Sequence, residues 1–136
     1  MQEMARPMVH KFPVRVYYED TDMAGIVYHA NYLKYIERAR SEWIDELGID
    51  QNAMREKDRL VFAVRRIEAD YLAPAKFGDH LEVLTETRAV TGARLILTQN
   101  IMRGPEMLFQ AVVTVACLTE TGHPARMPET IRRIVH

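Results

Sequence analysis

The stretch NYLKYIERARSEWIDELG, residues 31–48, decides the fold, because here the spacing of apolar side chains becomes helical. Its apolar residues recur every three or four positions and so share one helix face; they are Tyr32, Ile36, Ala39, Trp43 and Leu47. Asn31 is predicted to cap the start of the helix, and Gly48 to end it. The apolar stripe is large and partly aromatic, which predicts that this face is buried.

Outside this helix, apolar residues alternate with polar ones, a pattern typical of β-strands. Five strands are predicted, at residues 12–18, 60–71, 80–90, 94–102 and 106–119. The turns Thr91-Gly92 and Gly104-Pro105 are too short for crossovers, so the last strands are expected to form an antiparallel meander. A helix-prone connection is predicted over residues 51–59, and a short terminal helix over 128–135.

The order of these elements predicts an α+β fold, an antiparallel β-sheet wrapped around one long central helix, in which both apolar faces are covered. The chain has 136 residues, the length of a single domain, so residues 1–136 are assigned to one domain. The long apolar strands between residues 94 and 119 are expected to leave open sheet edges. Pairing between subunits is therefore expected.

Composition narrows the possible functions. The 18 basic and 19 acidic residues give a net charge of -1, which argues against binding nucleic acid or an anionic membrane surface. Residues 1–13 lack the apolar run of a signal peptide. No apolar stretch approaches the ~20 residues of a membrane span. A cytoplasmic location is the resulting expectation.

The candidate nucleophiles are few. The single serine, Ser41, lies within the predicted helix, without the strained turn or adjacent base that a nucleophilic serine needs. The single cysteine, Cys117, lies in a buried-strand pattern and can form neither an intramolecular disulfide nor a cysteine zinc site. Any catalysis is thus expected to depend on carboxylate and histidine side chains.

Such side chains cluster in YEDTDMAGIVYHANY, residues 18–32, where the first strand leads into the helix. Asp20 and Asp22 precede Gly25, and His29 lies just before the predicted helix start. Unpaired amides at the start of a helix suit a developing oxyanion. The cluster therefore indicates a catalytic or binding site.

Other interpretations of this cluster remain open at this stage. Asp20 and Asp22 are also typical turn residues, and His29 alone could be structural. The three side chains together could hold zinc or iron. A calcium loop starting at Asp20 is disfavoured, because Ala24 and Asn31 occupy ligand positions.

The same residues carry a family resemblance. The signature is Arg15-Val16, Thr21-Asp22, Gly25-Ile26-Val27, Ala30 and Tyr32 at fixed spacing, and it extends to residues 37–40 (ERAR) and 71–75 (YLAPA). In this pattern the chain resembles the hotdog-fold acyl-CoA thioesterases of the 4-hydroxybenzoyl-CoA thioesterase family. It looks most like their YbgC type, which is associated with the Tol-Pal cell-envelope system. The resemblance spans a core of about residues 12–119.

The resemblance implies an acyl-CoA thioesterase that needs no cofactor and no metal. Asp22 matches the catalytic carboxylate, acting as nucleophile or general base, while Tyr18 and His29 match further active-site positions. The backbone N–H of His29 matches the oxyanion donor. The implied substrate is an acyl-CoA, with acyl carrier protein as another possible thiol carrier. The implied assembly is a homo-oligomer, a dimer or a homotetramer, with active sites between subunits.

Two other functions are weighed against this one. Hotdog hydratases and dehydratases also act on acyl thioesters, and a non-enzymatic partner of acyl carrier protein or of envelope lipid enzymes is the second alternative. The sequence does not fix the acyl group or the CoA phosphate site. Arg65, Arg66, Arg88 and Arg94 are candidates for the phosphates, although each is also an ordinary solvated strand residue.

Overall fold

The computed structural model describes residues 9–136 and contains one antiparallel sheet and one long helix. The strands are β1 (His10–Arg15), β2 (Leu60–Tyr71), β3 (His80–Val90), β4 (Arg94–Arg103) and β5 (Glu106–Thr119). The helices are α1 (His29–Glu46), α2 (Gln51–Ala53), which runs on into a π-helical turn (Met54–Asp58), and α3 (Glu129–Val135). A 3₁₀ turn (Tyr18–Asp20) follows β1. The predicted α+β class, the helical connection and the terminal helix are confirmed.

The strand order is β1-β3-β4-β5-β2, with every pair antiparallel. The predicted meander is confirmed for β3, β4 and β5. The expectation that residues 94–119 leave open edges is wrong, because β4 and β5 are central strands. The outer strands are β1 and β2 instead. The reason is residues 72–79, which are long enough to carry the chain from β2 on one edge to β3 near the other.

Helix α1 covers the inner face of the sheet with an apolar stripe whose buried members include Tyr32, Tyr35, Ile36, Ala39, Trp43 and Ile44. The predicted cap at Asn31 is wrong. The helix begins at His29 with Tyr28 at the N-cap position, and the Asn31 side chain instead donates to the carbonyl of Asp20 at 2.9 Å. The predicted stop at Gly48 is confirmed by its φ of +84°, a left-handed conformation that favours glycine.

The first strand is displaced from its predicted range of residues 12–18. It begins at His10 and ends at Arg15, because the Asp20 carboxylate accepts from the backbone N–H of Tyr17 at 2.8 Å and closes the 3₁₀ turn. Cys117 is buried on β5, as predicted. Within the described part of the chain, no helix is long and apolar enough to span a membrane. The signal-peptide prediction falls largely on residues 1–8, which lie outside the described residues.

Candidate active site

A tight turn holds Asp22 between β1 and α1. Thr21 pairs with Val27 in an isolated antiparallel bridge, and the N–H of Asp22 donates to the carbonyl of Ile26 at 2.9 Å. Gly25, at φ +81°, closes the turn by donating to the carbonyl of Asp22 at 3.0 Å. The carboxylate Oδ1 of Asp22 accepts from the N–H of Ala24 at 2.9 Å. Its Oδ2 has no hydrogen-bond partner among residues 9–136, and Asp22 as a residue is exposed.

Asp20 fastens this turn to the start of α1. Its carboxylate bonds the N–H of Tyr17, as described above, while its carbonyl accepts from the N–H of Tyr28 at 3.0 Å and from Nδ2 of Asn31 at 2.9 Å. Asp20 therefore fixes backbone positions on both sides of Asp22.

His29 is the first residue of α1. The helix-start amides of His29 and Ala30 have no hydrogen-bond acceptor in the described structure, whereas Asn31 donates to the carbonyl of Tyr28 at 2.8 Å. Such unpaired N–H groups carry the partial positive charge of the helix dipole. The helix start is thus able to stabilise an anionic oxygen.

Asp22 lies between two pockets. One, of about 410 Å³, is bordered by Asp22, His29 and Tyr32, with the apolar wall formed by residues 71–74. The other, of about 590 Å³, is bordered by Asp22, Tyr18 and Tyr28. The structure therefore brings Asp22 together with His29 on one side and with Tyr18 on the other. Tyr18 and His29 do not border a common pocket.

Two tyrosines that the sequence analysis did not propose as site residues complete the smaller pocket. The Tyr32 hydroxyl accepts from the N–H of Ala75 at 3.0 Å, and the Tyr71 hydroxyl donates to the carbonyl of His29 at 2.9 Å. Burial raises the pKa of both phenols, so they are protonated at neutral pH. An aromatic residue at the end of a strand, just before Leu72-Ala73-Pro74, was the available signal.

The other candidate groups lie elsewhere. Arg65, Arg66, Arg88 and Arg94 are exposed on strands, and none borders either pocket that contains Asp22. Among residues 9–136 no group of three His, Cys, Asp or Glu side chains is arranged to hold a metal ion.

An open antiparallel sheet with one long helix on its inner face, and a carboxylate beside the helix start, is the architecture of a hotdog-fold thioesterase. The thioesterase-like superfamily model matches residues 16–135. The acyl-CoA thioesterase YbgC of Haemophilus influenzae is 43% identical over 127 residues, which cover 92% of this chain and 93% of that protein. The acyl-CoA thioesterase YbgC of Helicobacter pylori is 48% identical over 87 residues, or 64% of this chain and 62% of that protein.

Comparison with solved structures supports the same fold. A probable thioesterase from Bartonella henselae superposes with a TM-score of 0.84 at 38% identity, covering 89% of this chain and 100% of that one. The 1,4-dihydroxy-2-naphthoyl-CoA thioesterase of Synechocystis has a TM-score of 0.86 at 21% identity, over 94% of this chain and 96% of that one, and supports the fold alone. The chain belongs to the thioesterase-like superfamily and, within it, to the YbgC thioesterases. The predicted hotdog fold and thioester hydrolase class are confirmed.

Proposed function

We propose that this protein hydrolyses the thioester bond of an acyl-CoA, with Asp22 as nucleophile or general base. The observation that carries the proposal is the position of Asp22, which borders the same pocket as His29 at the start of α1. The Asp22 carboxylate has one oxygen without a partner, and the His29 amide has no acceptor, among the described residues. A thioester carbonyl bound between them would meet a base on one side and a hydrogen-bond donor on the other. The acyl-CoA substrate is also supported by the YbgC relatives.

Two routes use this arrangement. In the first, Asp22 removes a proton from water, and the water oxygen attacks the carbonyl carbon. In the second, a carboxylate oxygen of Asp22 attacks that carbon, the C–S bond breaks to give a mixed anhydride, and water then hydrolyses the anhydride. Both routes release CoA as a thiolate, which takes up a proton, together with the free acid.

The helix start stabilises the oxyanion in either route. The backbone N–H of His29 is the proposed donor to the carbonyl oxygen, and loss of such a donor typically costs ~10²–10³ in rate. The imidazole of His29 is proposed to transfer protons or to orient the Asp22 carboxylate. Tyr18 is proposed to bind the substrate on the opposite side of Asp22, where its exposed ring packs edge-on against Phe77 with 6.4 Å between centroids.

The test is release of free thiol from a panel of acyl-CoAs, from acetyl to palmitoyl and including benzoyl. Wild type should release thiol from at least one of them, and Asp22→Asn should lose most of this activity without loss of folding. The amide is nearly isosteric with the carboxylate but is neither a base nor a good nucleophile. Retention of a third or more of wild-type turnover would show that Asp22 is not the catalytic residue. Hydration of an enoyl-CoA without thiol release would favour the hydratase alternative.

We also propose a homo-oligomer, at least a dimer, with the sites near the subunit interface. Strand β2 has β5 on one side and no neighbouring strand among residues 9–136 on the other. Arg66 pairs with Glu68 within the strand at 2.9 Å, which leaves Arg65 and Asp70 as exposed charges of opposite sign. A second β2 in antiparallel register could set Arg65 of one strand opposite Asp70 of the other. Tyr71, at the end of this strand, borders the pocket. An active monomer in sedimentation velocity at micromolar concentration would exclude the proposal.

A further inference from the structure

We infer that Tyr71 sets the length of the acyl group that the smaller pocket accepts. The inference rests on the proposed function, because it takes this pocket to be the acyl site. The pocket opens between Asp22 and His29, and its wall from Leu72 to Pro74 is apolar. Its volume of about 410 Å³ lies at the small end of the roughly 300–1,000 Å³ that ligand pockets span. The side chains that line it therefore limit how much of an acyl chain fits.

Two of the lining residues, Tyr32 and Tyr71, belong to a cluster of three aromatic rings whose third member, Phe109, lies behind them in the core. Tyr32 stacks on Phe109, with centroids 5.3 Å apart and planes 12° from parallel. Tyr71 meets both rings edge-on, at 5.4 Å from Tyr32 and 5.0 Å from Phe109. Phe109 is fully buried and Tyr32 is 3% exposed, so neither can move without disturbing the core. Tyr71 is 49% exposed and is the member of the group that a substitution can remove.

The Tyr71 ring is held in place across the pocket. Its hydroxyl donates to the carbonyl of His29, so turning the ring aside would break a hydrogen bond. The edge-on contacts with Tyr32 and Phe109 oppose the same movement. Tyr71 is therefore a fixed part of the pocket wall, beside His29.

The apolar wall of the pocket, from Leu72 to Pro74, is also held in place by hydrogen bonds. The N–H groups of Leu72 and Ala73 both donate to the carbonyl of Leu108, at 2.8 and 3.1 Å. Arg103 donates to the carbonyl of Pro74 at 3.3 Å, and Ala75 is bonded to the Tyr32 hydroxyl. A wall fixed at each of these points cannot retreat to admit a longer chain. The limit is therefore set by the ring of Tyr71 rather than by movement of the loop.

The test compares wild type with Tyr71→Ala and Tyr71→Phe on butyryl-, hexanoyl-, decanoyl- and benzoyl-CoA. Burial of one or two further methylenes changes transition-state binding roughly four- to fifteen-fold. Tyr71→Ala should therefore raise the ratio of kcat/KM for decanoyl-CoA to that for butyryl-CoA by about tenfold. Tyr71→Phe keeps the ring and should keep the wild-type ratio. Tyr17→Ala is the matched control, since Tyr17 is an exposed tyrosine outside both pockets, and it too should keep that ratio.

Binding of non-hydrolysable S-alkyl-CoA thioethers, measured by calorimetry, separates this inference from the proposed function. If Tyr71→Ala extends the chain length that is bound while no variant releases thiol from any acyl-CoA, the proposed function fails and the inference stands. If thiol is released but neither the rate ratio nor the thioether series changes in Tyr71→Ala, the inference is overturned and the proposed function stands. An equal change in Tyr17→Ala would also overturn the inference.

Discussion

Nη1 of Arg40 donates a 2.9 Å hydrogen bond to Oε1 of Gln99, joining the long helix to the centre of the sheet. Gln99 is fully buried, and its Nε2 donates to the carbonyl of Ile36 at 3.0 Å and to the hydroxyl of Thr85 at 2.9 Å. Arg40 is 9% exposed, and within the described residues it has no carboxylate within salt-bridge distance. Burial lowers the pKa of its guanidinium. One amide on β4 thus satisfies polar groups on α1 and β3.

We expect Gln99→Leu to destabilise the fold strongly, because it removes the acceptor from a buried guanidinium. Leaving a buried donor without its acceptor costs roughly 1–3 kcal/mol, and more when the donor is charged. The free energy of unfolding in urea measures the loss. The double variant Arg40→Met/Gln99→Leu removes the charge as well and should recover much of the stability. A loss below about 1 kcal/mol in Gln99→Leu would show that the guanidinium finds another acceptor or reaches water.

The ion pair of Asp79 and Arg103 makes stability depend on pH. Partial burial disfavours the Asp79 carboxylate, but hydrogen bonds from the N–H of Lys76 at 2.9 Å and from Arg103 at 2.6 Å outweigh it and lower its pKa. A lowered pKa in the folded state stabilises the protein above the unfolded value of ~3.9. This stabilisation is lost as the pH falls through the folded pKa.

Asp79→Asn should therefore reduce stability at neutral pH, and the difference from wild type should shrink as the pH falls below ~4. Urea unfolding midpoints at neutral pH and at about pH 3 measure the two differences. Asp58→Asn is the matched control, because Asp58 is exposed and its side chain has no hydrogen-bond or ion-pair partner in the described structure. A difference that stays constant down to pH 3 would contradict the assignment.

The sequence was informative wherever a local pattern determines the structure. Apolar spacing located α1 and the five strands, and a glycine with positive φ ended the helix at Gly48. The order of the strands in the sheet could not be predicted in this way. The partner of β2 depends on the path of residues 72–79, and no periodicity in the sequence encodes that path. The prediction that Asn31 caps the helix was wrong, because the Asn31 side chain donates instead to a distant acceptor, the carbonyl of Asp20. The sequence placed Tyr71 at the end of a strand, but its fixed orientation arises from contacts between β2, α1 and β5 that no local pattern encodes.

Asp20 and Asp22 are expected to respond differently to the same substitution. Asp20→Asn keeps an oxygen that can accept from the N–H of Tyr17, and its carbonyl bonds to Tyr28 and Asn31 are unaffected. Its kcat/KM should fall only modestly, in contrast to Asp22→Asn. Thiol release by the two variants, assayed side by side, gives the comparison. Equal losses would point to a site that the two carboxylates share, such as a metal site, instead of one catalytic aspartate.

His29→Ala distinguishes the catalytic role of the His29 imidazole from that of the His29 backbone N–H. If the imidazole transfers protons, kcat should fall with little change in KM, because that interaction is made mainly in the transition state. The backbone N–H remains at the helix start, so activity should stay measurable and above that of Asp22→Asn. Steady-state kinetics and thermal unfolding are measured on the same variant. A lower melting temperature with unchanged kcat would identify His29 as structural. In that case Asp22 and the helix-start amides would carry the catalytic role without the imidazole.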